Sequence, residues 1–189
     1  MSDEQVRDEA MTLFLAGHET TANALAWALY LLMKHPRVWG ALREEAVGVL
    51  DGRAPTVHDL PRLQYTLQVF KETLRLYPPA YLFGRQATRD VTVTGWPVAK
   101  DTLAAICTYA LHRHPAFFEQ PEIFRPERFA PEAEARLHKF AYLPFGGGPR
   151  VCIGNQFALM EGQLILATIA QHVKFESLRD IVLPDPHVT

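Results

Sequence analysis

The chain has 189 residues, 48% of them hydrophobic, and a formal net charge of −2, which suits a globular domain and excludes the basic character of nucleic-acid-binding proteins. Its two cysteines, Cys107 and Cys152, exclude a disulfide framework and are typical of a reducing compartment. The acidic, polar N-terminus is unlike a secretion signal, and the longest apolar run, 24–33, is well short of the ~20 residues that span a bilayer. We therefore expect a cytoplasmic protein.

The first predicted element is a long helix that begins at the N-terminus. Ser2 followed by Gln5 is a capping-box pattern, and apolar residues then recur at helical spacing up to His35 and Pro36, where the proline resists continuation. Because this helix is apolar on several faces, we expect it to be buried through the middle of a domain.

A polar patch, 16–21, lies in the centre of this helix and reads Ala-Gly-His-Glu-Thr-Thr. Glycine destabilises a helix interior by ~1 kcal/mol, and a buried Glu19 needs a partner. A zinc site of the His-Glu-x-x-His kind is excluded because Ala22 stands in the place of the second histidine. The patch is either an irregular turn with solvated polar residues or a functional site. In a site, the Thr20 hydroxyl can relay a proton and the Glu19 carboxylate can reload it through water.

The middle of the chain is predicted to form two helices and a small antiparallel sheet. Apolar spacing indicates helices over 37–50 and 63–77, the second ending against two prolines. Alternating β-compatible residues between 81 and 108, with a turn at 95–97, indicate the sheet. No motif surrounds Cys107, which we expect to pack in the core.

The rest of the chain is predicted to be an irregular segment followed by a helix. Residues 111–143 are rich in proline, and we expect five aromatic residues to anchor them: Phe117, Phe118, Phe124, Phe129 and Phe140. Within this segment His112 and His114 have an H-x-H spacing that could in principle bind a metal. A strongly apolar helix is predicted over 156–171, and 173–175 are expected to open a last strand.

A glycine-rich loop, 145–154, carries the strongest chemical signal and reads Phe-Gly-Gly-Gly-Pro-Arg-Val-Cys-Ile-Gly. Its three consecutive glycines let the backbone pass close to a large flat ligand. A thiol just before a helix is favoured as thiolate by the helix dipole and nearby N–H groups, and a thiolate is a soft ligand for iron. A phosphate-binding loop is excluded because neither Gly-Lys-Ser/Thr nor Gly-x-Gly-x-x-Gly is present. The alternative for Cys152 alone is a buried structural cysteine.

Four motifs resemble those of the cytochrome P450 haem-thiolate monooxygenases, and they follow one another along the chain in the family's order. The family's haem loop, Phe-x-x-Gly-x-Arg-x-Cys-x-Gly, is matched at every fixed place by Phe145, Gly148, Arg150, Cys152 and Gly154. The motif of its oxygen-binding helix, Ala/Gly-Gly-x-Asp/Glu-Thr, is matched by Ala16, Gly17, Glu19 and Thr20. Its Glu-x-x-Arg and Pro-x-Arg-Phe motifs are matched by Glu72, Arg75 and 126–129, the last containing Arg128.

The resemblance implies a haem b cofactor and assigns residues to it. Cys152 would be the proximal ligand of the haem iron, with Phe145 as a shield beside its sulfur. Arg150, and Arg85 from the predicted sheet, would each bind a haem propionate. Three glycines are also implied as cofactor-binding residues: Gly17, which would leave room above the haem, Gly148 and Gly154.

The same resemblance implies roles for the remaining matched residues. Glu19 and Thr20 would form a catalytic acid–alcohol pair that delivers protons for oxygen activation. A structural network would lock the loop below the haem without doing chemistry, and it comprises Glu72, Arg75 and Arg128. The substrate pocket would be lined by Ala16, Ala80, Tyr81 and Leu82, and His112 to Pro115 resembles a structural turn common in the family.

The implied fold is mainly α-helical with a small antiparallel β region. It corresponds to the C-terminal part of the cytochrome P450 fold, from the oxygen-binding helix through the haem loop and the following helix. Members have a long preceding half and continue past 185–189, so residues 1–189 are expected to be a partial domain without the N-terminal half and the extreme C-terminus. Any membrane anchor would lie in the preceding half. Because the far side of the first helix would then face water, we expect that this chain alone cannot hold haem stably or turn over substrate.

The implied reaction is the insertion of one oxygen atom of O₂ into a small apolar organic substrate. Its electrons would come from a redox partner, either a ferredoxin or a flavoprotein reductase, and no nucleic-acid partner is expected. One alternative is a peroxide-using or isomerising haem-thiolate enzyme, although such members often lose the acid–alcohol pair. The others are an inactive fragment of a monooxygenase and a haem-free helical interaction protein, which would leave the Cys152 loop and Arg85 without a purpose.

Overall fold

The computed structural model describes residues 1–175 and is mainly helical. Its α-helices are α1 (Asp3–Lys34), α2 (Pro36–Leu50), α3 (Gln64–Leu76), α4 (Thr108–Leu111), α5 (Pro131–Glu134) and α6 (Asn155–His172). Its strands are β1 (Leu82–Gln86), β2 (Val91–Val93), β3 (Trp96–Val98) and β4 (Leu103–Cys107). Short 3₁₀ helices span Val57–Arg62, Pro126–Phe129 and Gly148–Arg150. No helix within residues 1–175 is both long and apolar enough to cross a membrane.

Helix α1 has the predicted bounds and the predicted cap. The Ser2 hydroxyl accepts a hydrogen bond from the Gln5 N–H (3.3 Å), and the Gln5 side chain accepts one from the Ser2 N–H (2.9 Å). The polar patch 16–21 is continuous α-helix, so its interpretation as an irregular turn is wrong. The helix ends at Lys34, and Pro36 occupies the first turn of α2, where its missing N–H has no cost.

The hydrophobic core lies where the C-terminal half of α1 meets α2, α3 and α6. The buried core residues on these four helices include Ala24, Ala28, Leu31, Leu32, Leu42, Ala46, Leu50, Val69, Phe70, Leu74, Leu166, Ala167 and Ala170. The N-terminal half of α1 is uncovered, and its exposed apolar residues are Val6, Met11, Leu13, Phe14 and Leu15. The prediction that α1 is buried throughout is therefore wrong for this half, because no described element packs over it. The expected exposed side of α1 is confirmed.

Helices α3 and α6 pack closely because α6 has a glycine at the contact. A Cβ added to Gly162 would overlap the ring of Phe70, which is itself only 1% exposed and has no room to move. We predict that Gly162→Ala lowers the free energy of unfolding by about 1–3 kcal/mol, although alanine favours helix. Urea denaturation would measure this change.

Gly48 in α2 provides the matched control for Gly162. A Cβ there would meet nothing within 4 Å, so Gly48→Ala should raise stability by up to about 1 kcal/mol through helix propensity alone. Equal effects of the two substitutions would contradict the described packing of α3 on α6.

The predicted sheet is present as two separate antiparallel pairs. Strand β1 pairs with β4, and β2 pairs with β3 through a turn at Thr94 and Gly95, both of which have positive φ. Cys107 is exposed at the end of β4, so the prediction that it packs in the core is wrong. Alternation along β4 did not bury it because no second layer within residues 1–175 covers that face.

The segment 111–143 is irregular, as predicted, and only part of its aromatic anchoring holds. Phe118, Phe124 and Phe129 are buried, whereas Phe117 and Phe140 are exposed. Helix α6 follows its predicted bounds closely. Residues 173–175 form no strand, so that prediction is wrong.

Candidate cofactor site

The cysteine loop is held by backbone hydrogen bonds and by glycine conformations. The Cys152 N–H donates to the Phe145 carbonyl (2.9 Å), and the Gly146 N–H donates to the Leu143 carbonyl (3.1 Å). Gly146 and Gly148 have φ values of 70° and 74°, which side chains other than glycine rarely adopt. Cys152 is exposed, so its interpretation as a buried structural cysteine is wrong.

Cys152 lies immediately before the N-terminus of α6. Gly154 is the N-cap residue of that helix, and a Cβ on Gly154 would come to 3.9 Å from the Cys152 sulfur. The first-turn N–H groups of a helix have no intrahelical acceptors and carry its positive dipole end. The role of Cys152 as a thiolate ligand at this position stays a prediction.

The apolar residues around Cys152 are open to solvent. Ile153 is 91% exposed, and Val151 and Phe157 are also exposed. A free thiol set among uncovered apolar side chains has the chemistry of a site for a large apolar cofactor whose metal can bind thiolate. The donor set and its surroundings therefore fit haem.

Two arginines are free to meet carboxylates. Arg85 and Arg150 are exposed, and neither forms an ion pair with another residue among 1–175. Arg85 donates to the Gly84 carbonyl (2.8 Å), and its guanidinium carbon lies 5.2 Å from the ring centre of Phe83. Both remain predicted propionate partners.

The patch on α1 is exposed and locally hydrogen-bonded. The Thr20 hydroxyl donates to the Ala16 carbonyl one turn earlier (2.6 Å), while the Glu19 side chain is open to solvent. Gly17 continues the helix stripe that is buried from Thr21 onward, and a Cβ on Gly17 would meet nothing within 4 Å. The side of α1 that packs on α3 and α6 is therefore no longer covered by other residues at this patch.

The predicted pocket residues after α3 are fixed by their backbone and leave their side chains free. The Ala80 carbonyl accepts a hydrogen bond from the Thr108 hydroxyl (2.8 Å), and the Tyr81 carbonyl accepts one from the Tyr109 N–H (3.3 Å). Ala80, Tyr81 and Leu82 are exposed. Their role as pocket lining stays a prediction.

The structure brings the three residues of the predicted network into one buried cluster. Glu72 and Arg75 have no exposed surface, and Arg75 donates twice to the carboxylate, at 2.7 and 2.8 Å. Arg128 lies near the same carboxylate, with its Nε 3.4 Å from one oxygen but without a hydrogen bond from that nitrogen. Arg75 also donates to the carbonyls of His112 (2.8 Å) and Pro121 (2.7 Å), which ties α3 to the irregular segment.

One polar residue with positioning contacts, Glu45, was missed in the sequence, and the tertiary contacts of His112 were not predicted. The Glu45 carboxylate on α2 accepts hydrogen bonds from the N–H groups of Tyr65 (2.6 Å) and Thr66 (2.8 Å), so it caps α3 from another helix. The buried His112 ring bridges α3 and Leu143. Its H-x-H spacing with His114 could in principle bind a metal, but no group of three potential metal-binding residues occurs within residues 1–175. No sequence signal indicates the capping role of Glu45, because its acceptor geometry is tertiary.

Comparison with known proteins agrees with the fold and with the family that the sequence resembles. The family model described as Cytochrome P450 matches residues 1–188. Cyclooctatin synthase from Streptomyces melanosporofaciens is 50% identical over 172 residues, which cover 90% of this chain and 37% of that protein. Human cytochrome P450 4V2 is 46% identical over 179 residues, which cover 94% of this chain and 34% of that protein.

Solved structures give the same result for the backbone. The crystal structure of the cytochrome P450DA haem domain matches with a TM-score of 0.86 at 39% identity, covering 90% of this chain and 38% of that one. A mutant of that haem domain matches with a TM-score of 0.92 at 37% identity, covering 97% and 42%. The predicted fold class is therefore confirmed.

Together, the helical fold, the sequence of the cysteine loop and these matches assign the chain to the class of haem-thiolate proteins. The chain belongs to the cytochrome P450 family. It spans about a third of the length of the curated relatives described above, 37% of one and 34% of the other.

Proposed function

We propose that this protein acts as a haem-thiolate monooxygenase on a small apolar organic substrate, with electrons from a ferredoxin or a flavoprotein reductase. The observation that carries this proposal is the exposed Cys152 thiol in a glycine-rich loop directly before α6. When bound, haem b would supply the activation of O₂ and the transfer of one oxygen atom to the substrate.

The residues of the loop would bind and orient the cofactor. The Cys152 thiolate would ligate the iron, and Phe145, whose carbonyl accepts from the Cys152 N–H, would shield the sulfur from water. Arg85 and Arg150 would each hold a propionate, since a guanidinium presents donors in a fork that matches a carboxylate.

Thr20 and Glu19 would move protons on the distal side. The Thr20 hydroxyl donates to the Ala16 carbonyl, which leaves the lone pairs on its oxygen free to accept a hydrogen bond from water. The exposed Glu19 carboxylate can exchange protons with bulk solvent and pass them to that water. The presence of this pair disfavours the peroxide-using and isomerising alternatives.

A second candidate, a chain that cannot hold haem by itself, is supported by the uncovered half of α1. Leu13, Phe14 and Leu15 are each more than 60% exposed beside the patch that would face the cofactor. We propose that the cofactor site of this partial domain is complete only when another part of a cytochrome P450 covers this surface.

Thr20→Ala tests the proton-transfer role on a haem-loaded preparation. We expect the product formed per O₂ consumed to fall by about tenfold or more, because general acid catalysis contributes 10²–10⁴-fold in rate. The measurement is product and H₂O₂ per O₂ consumed, with an apolar probe substrate chosen by the change that it causes in the haem absorbance.

Thr12→Ala is the matched control on the same helix. The Thr12 hydroxyl makes the same kind of hydrogen bond, to the Asp8 carbonyl one turn earlier (2.8 Å), and it is also exposed. It should leave the product yield unchanged. An equal loss in both variants would indicate a helix effect and contradict the proposed role of Thr20.

A further inference from the structure

His112 connects two parts of the fold through both nitrogens of its ring. The ring is fully buried, its Nδ1 lies 3.2 Å from the Arg75 carbonyl in the last turn of α3, and its Nε2 lies 2.8 Å from the Leu143 nitrogen. His112 is a buried titratable group that takes no part in the proton transfer or the ligation proposed above.

Leu143 is the residue on which the cysteine loop is built. Its carbonyl accepts the Gly146 N–H (3.1 Å), and its side chain lies 3.4 Å from where a Cβ on Gly147 would be. Two residues later, the Phe145 carbonyl accepts the Cys152 N–H (2.9 Å). A continuous series of contacts therefore runs from α3 through His112 and Leu143 to Cys152.

The two hydrogen bonds permit one protonation state of the ring. Since the Leu143 N–H is a donor, Nε2 must be the unprotonated acceptor, and Nδ1 must carry the proton that is donated to the Arg75 carbonyl. A cationic ring would direct an N–H at the Leu143 N–H and break the contact.

The surroundings of His112 favour the neutral ring. The guanidinium of Arg75 from α3 and that of Arg113 from the adjoining turn are the charges that act on it, and both are positive. The ring of Tyr142, in the segment before the loop, lies 5.2 Å away between centres, and Arg75 also holds Glu72. No anionic partner is directed at the imidazole by any of these elements.

We propose that His112 is a positioning residue for the cysteine loop, whose neutral Nδ1–H ring fixes Leu143 to α3 and so sets how Cys152 is presented. That the loop binds haem rests on the proposed function, whereas the hydrogen bond between Leu143 and His112 does not depend on it. These two hydrogen bonds are made by the imidazole ring with backbone groups, so they differ from the side-chain bonds of the Glu72 cluster, although Arg75 and His112 take part in both sets of contacts.

The first test is ¹⁵N NMR of the unsubstituted chain at neutral pH without haem. The proposal requires the Nδ1–H tautomer of His112 and a hydrogen-bonded Leu143 amide. Finding the Nε2–H tautomer would overturn it, because Leu143 would then have no acceptor.

The second test compares amide hydrogen exchange in three variants. We expect His112→Phe, which keeps an aromatic ring but has no acceptor, to speed exchange at Leu143, Gly146 and Cys152 by about tenfold or more relative to Ala46 in α2. His112→Gln should restore most of the protection at Leu143, because its amide oxygen can take the place of Nε2. The control, His114→Gln, alters an exposed histidine two residues away and should change nothing at the loop.

The proposal would be overturned if, in every variant, the exchange rates at Leu143, Gly146 and Cys152 changed by the same factor as the rate at Ala46. If His112→Phe does not fold, the tautomer and the His112→Gln protection still decide the question. On haem-loaded protein, the fraction that keeps thiolate ligation should fall in His112→Phe and not in His114→Gln. If the exchange rates change as predicted but the unsubstituted protein shows no thiolate spectrum, the proposed function is refuted and the positioning role of His112 stands.

Discussion

Glu72→Gln is expected to lower the free energy of unfolding by about 3–5 kcal/mol and to prevent haem incorporation. The carboxylate has no exposed surface and accepts three hydrogen bonds, two from the Arg75 side chain and one from the Arg125 N–H (2.9 Å). It is also the anion nearest to the buried Arg128 guanidinium. Its removal leaves two buried positive charges without a counter-charge.

The cost extends from the cluster to the cysteine loop. Arg75 is oriented by Glu72, and its remaining N–H groups hold the carbonyls of His112, Pro121 and Ile123. A glutamine amide at position 72 would direct N–H groups toward a guanidinium, so Arg75 could not keep this geometry. We expect the irregular segment and the loop after it to lose their fixed position.

Urea denaturation and haem absorbance would measure the two effects of Glu72→Gln. The matched control is Glu134→Gln, which breaks the partly exposed ion pair between Lys71 and Glu134 (2.7 Å) and should cost less than about 1 kcal/mol. The role given to the cluster would be contradicted if Glu72→Gln kept normal haem occupancy and lost less than about 1 kcal/mol of stability, which is the cost expected for Glu134→Gln.

Acidification is expected to destabilise the fold by about 3 kcal/mol between about pH 6.5 and about pH 4, through His112. Burial lowers the pKa of His112 from its ordinary 6.5 to about 4, and the hydrogen bond to the Arg75 carbonyl only partly opposes this. Between these two pH values His112 is protonated in the unfolded chain and neutral in the folded chain. Stability therefore falls as the pH drops from 6.5, and this contribution levels off below 4.

Urea denaturation across this pH range would test the sign and the size of the effect. In His112→Gln the corresponding slope should disappear, whereas His114→Gln should retain it. Asp59 does not interfere, because the hydrogen bond from Arg53 lowers the pKa of its carboxyl, so its contribution is lost only at lower pH. A slope that survives His112→Gln unchanged would refute the assignment.

The helices could be predicted because their signals are local. The capping box at Ser2 and Gln5, and the proline at 36, lie within one or two turns of the boundaries that they set. Burial could not be predicted in the same way. Cys107 and the N-terminal half of α1 have patterns compatible with a core, but burial requires a covering layer, which a pattern does not reveal.

The site was partly predictable for the same reason. Spacing placed Glu72 and Arg75 on one helix face, but such pairs are ordinarily solvated, and only the structure shows the pair fully buried with Arg128 beside it. The contacts of His112 join residues 75 and 143, which are distant in sequence, so no local pattern could indicate them.

The central claim, that Cys152 ligates haem iron, is tested most directly by the absorbance difference spectrum of the reduced protein with and without carbon monoxide. It should be recorded on this chain and on a fusion that supplies the preceding part of a relative. We predict a strongly red-shifted Soret band that is lost in Cys152→Ala and kept in Cys107→Ala. A red-shifted band that survives Cys152→Ala, or no haem binding by either the chain or the fusion, would contradict the claim.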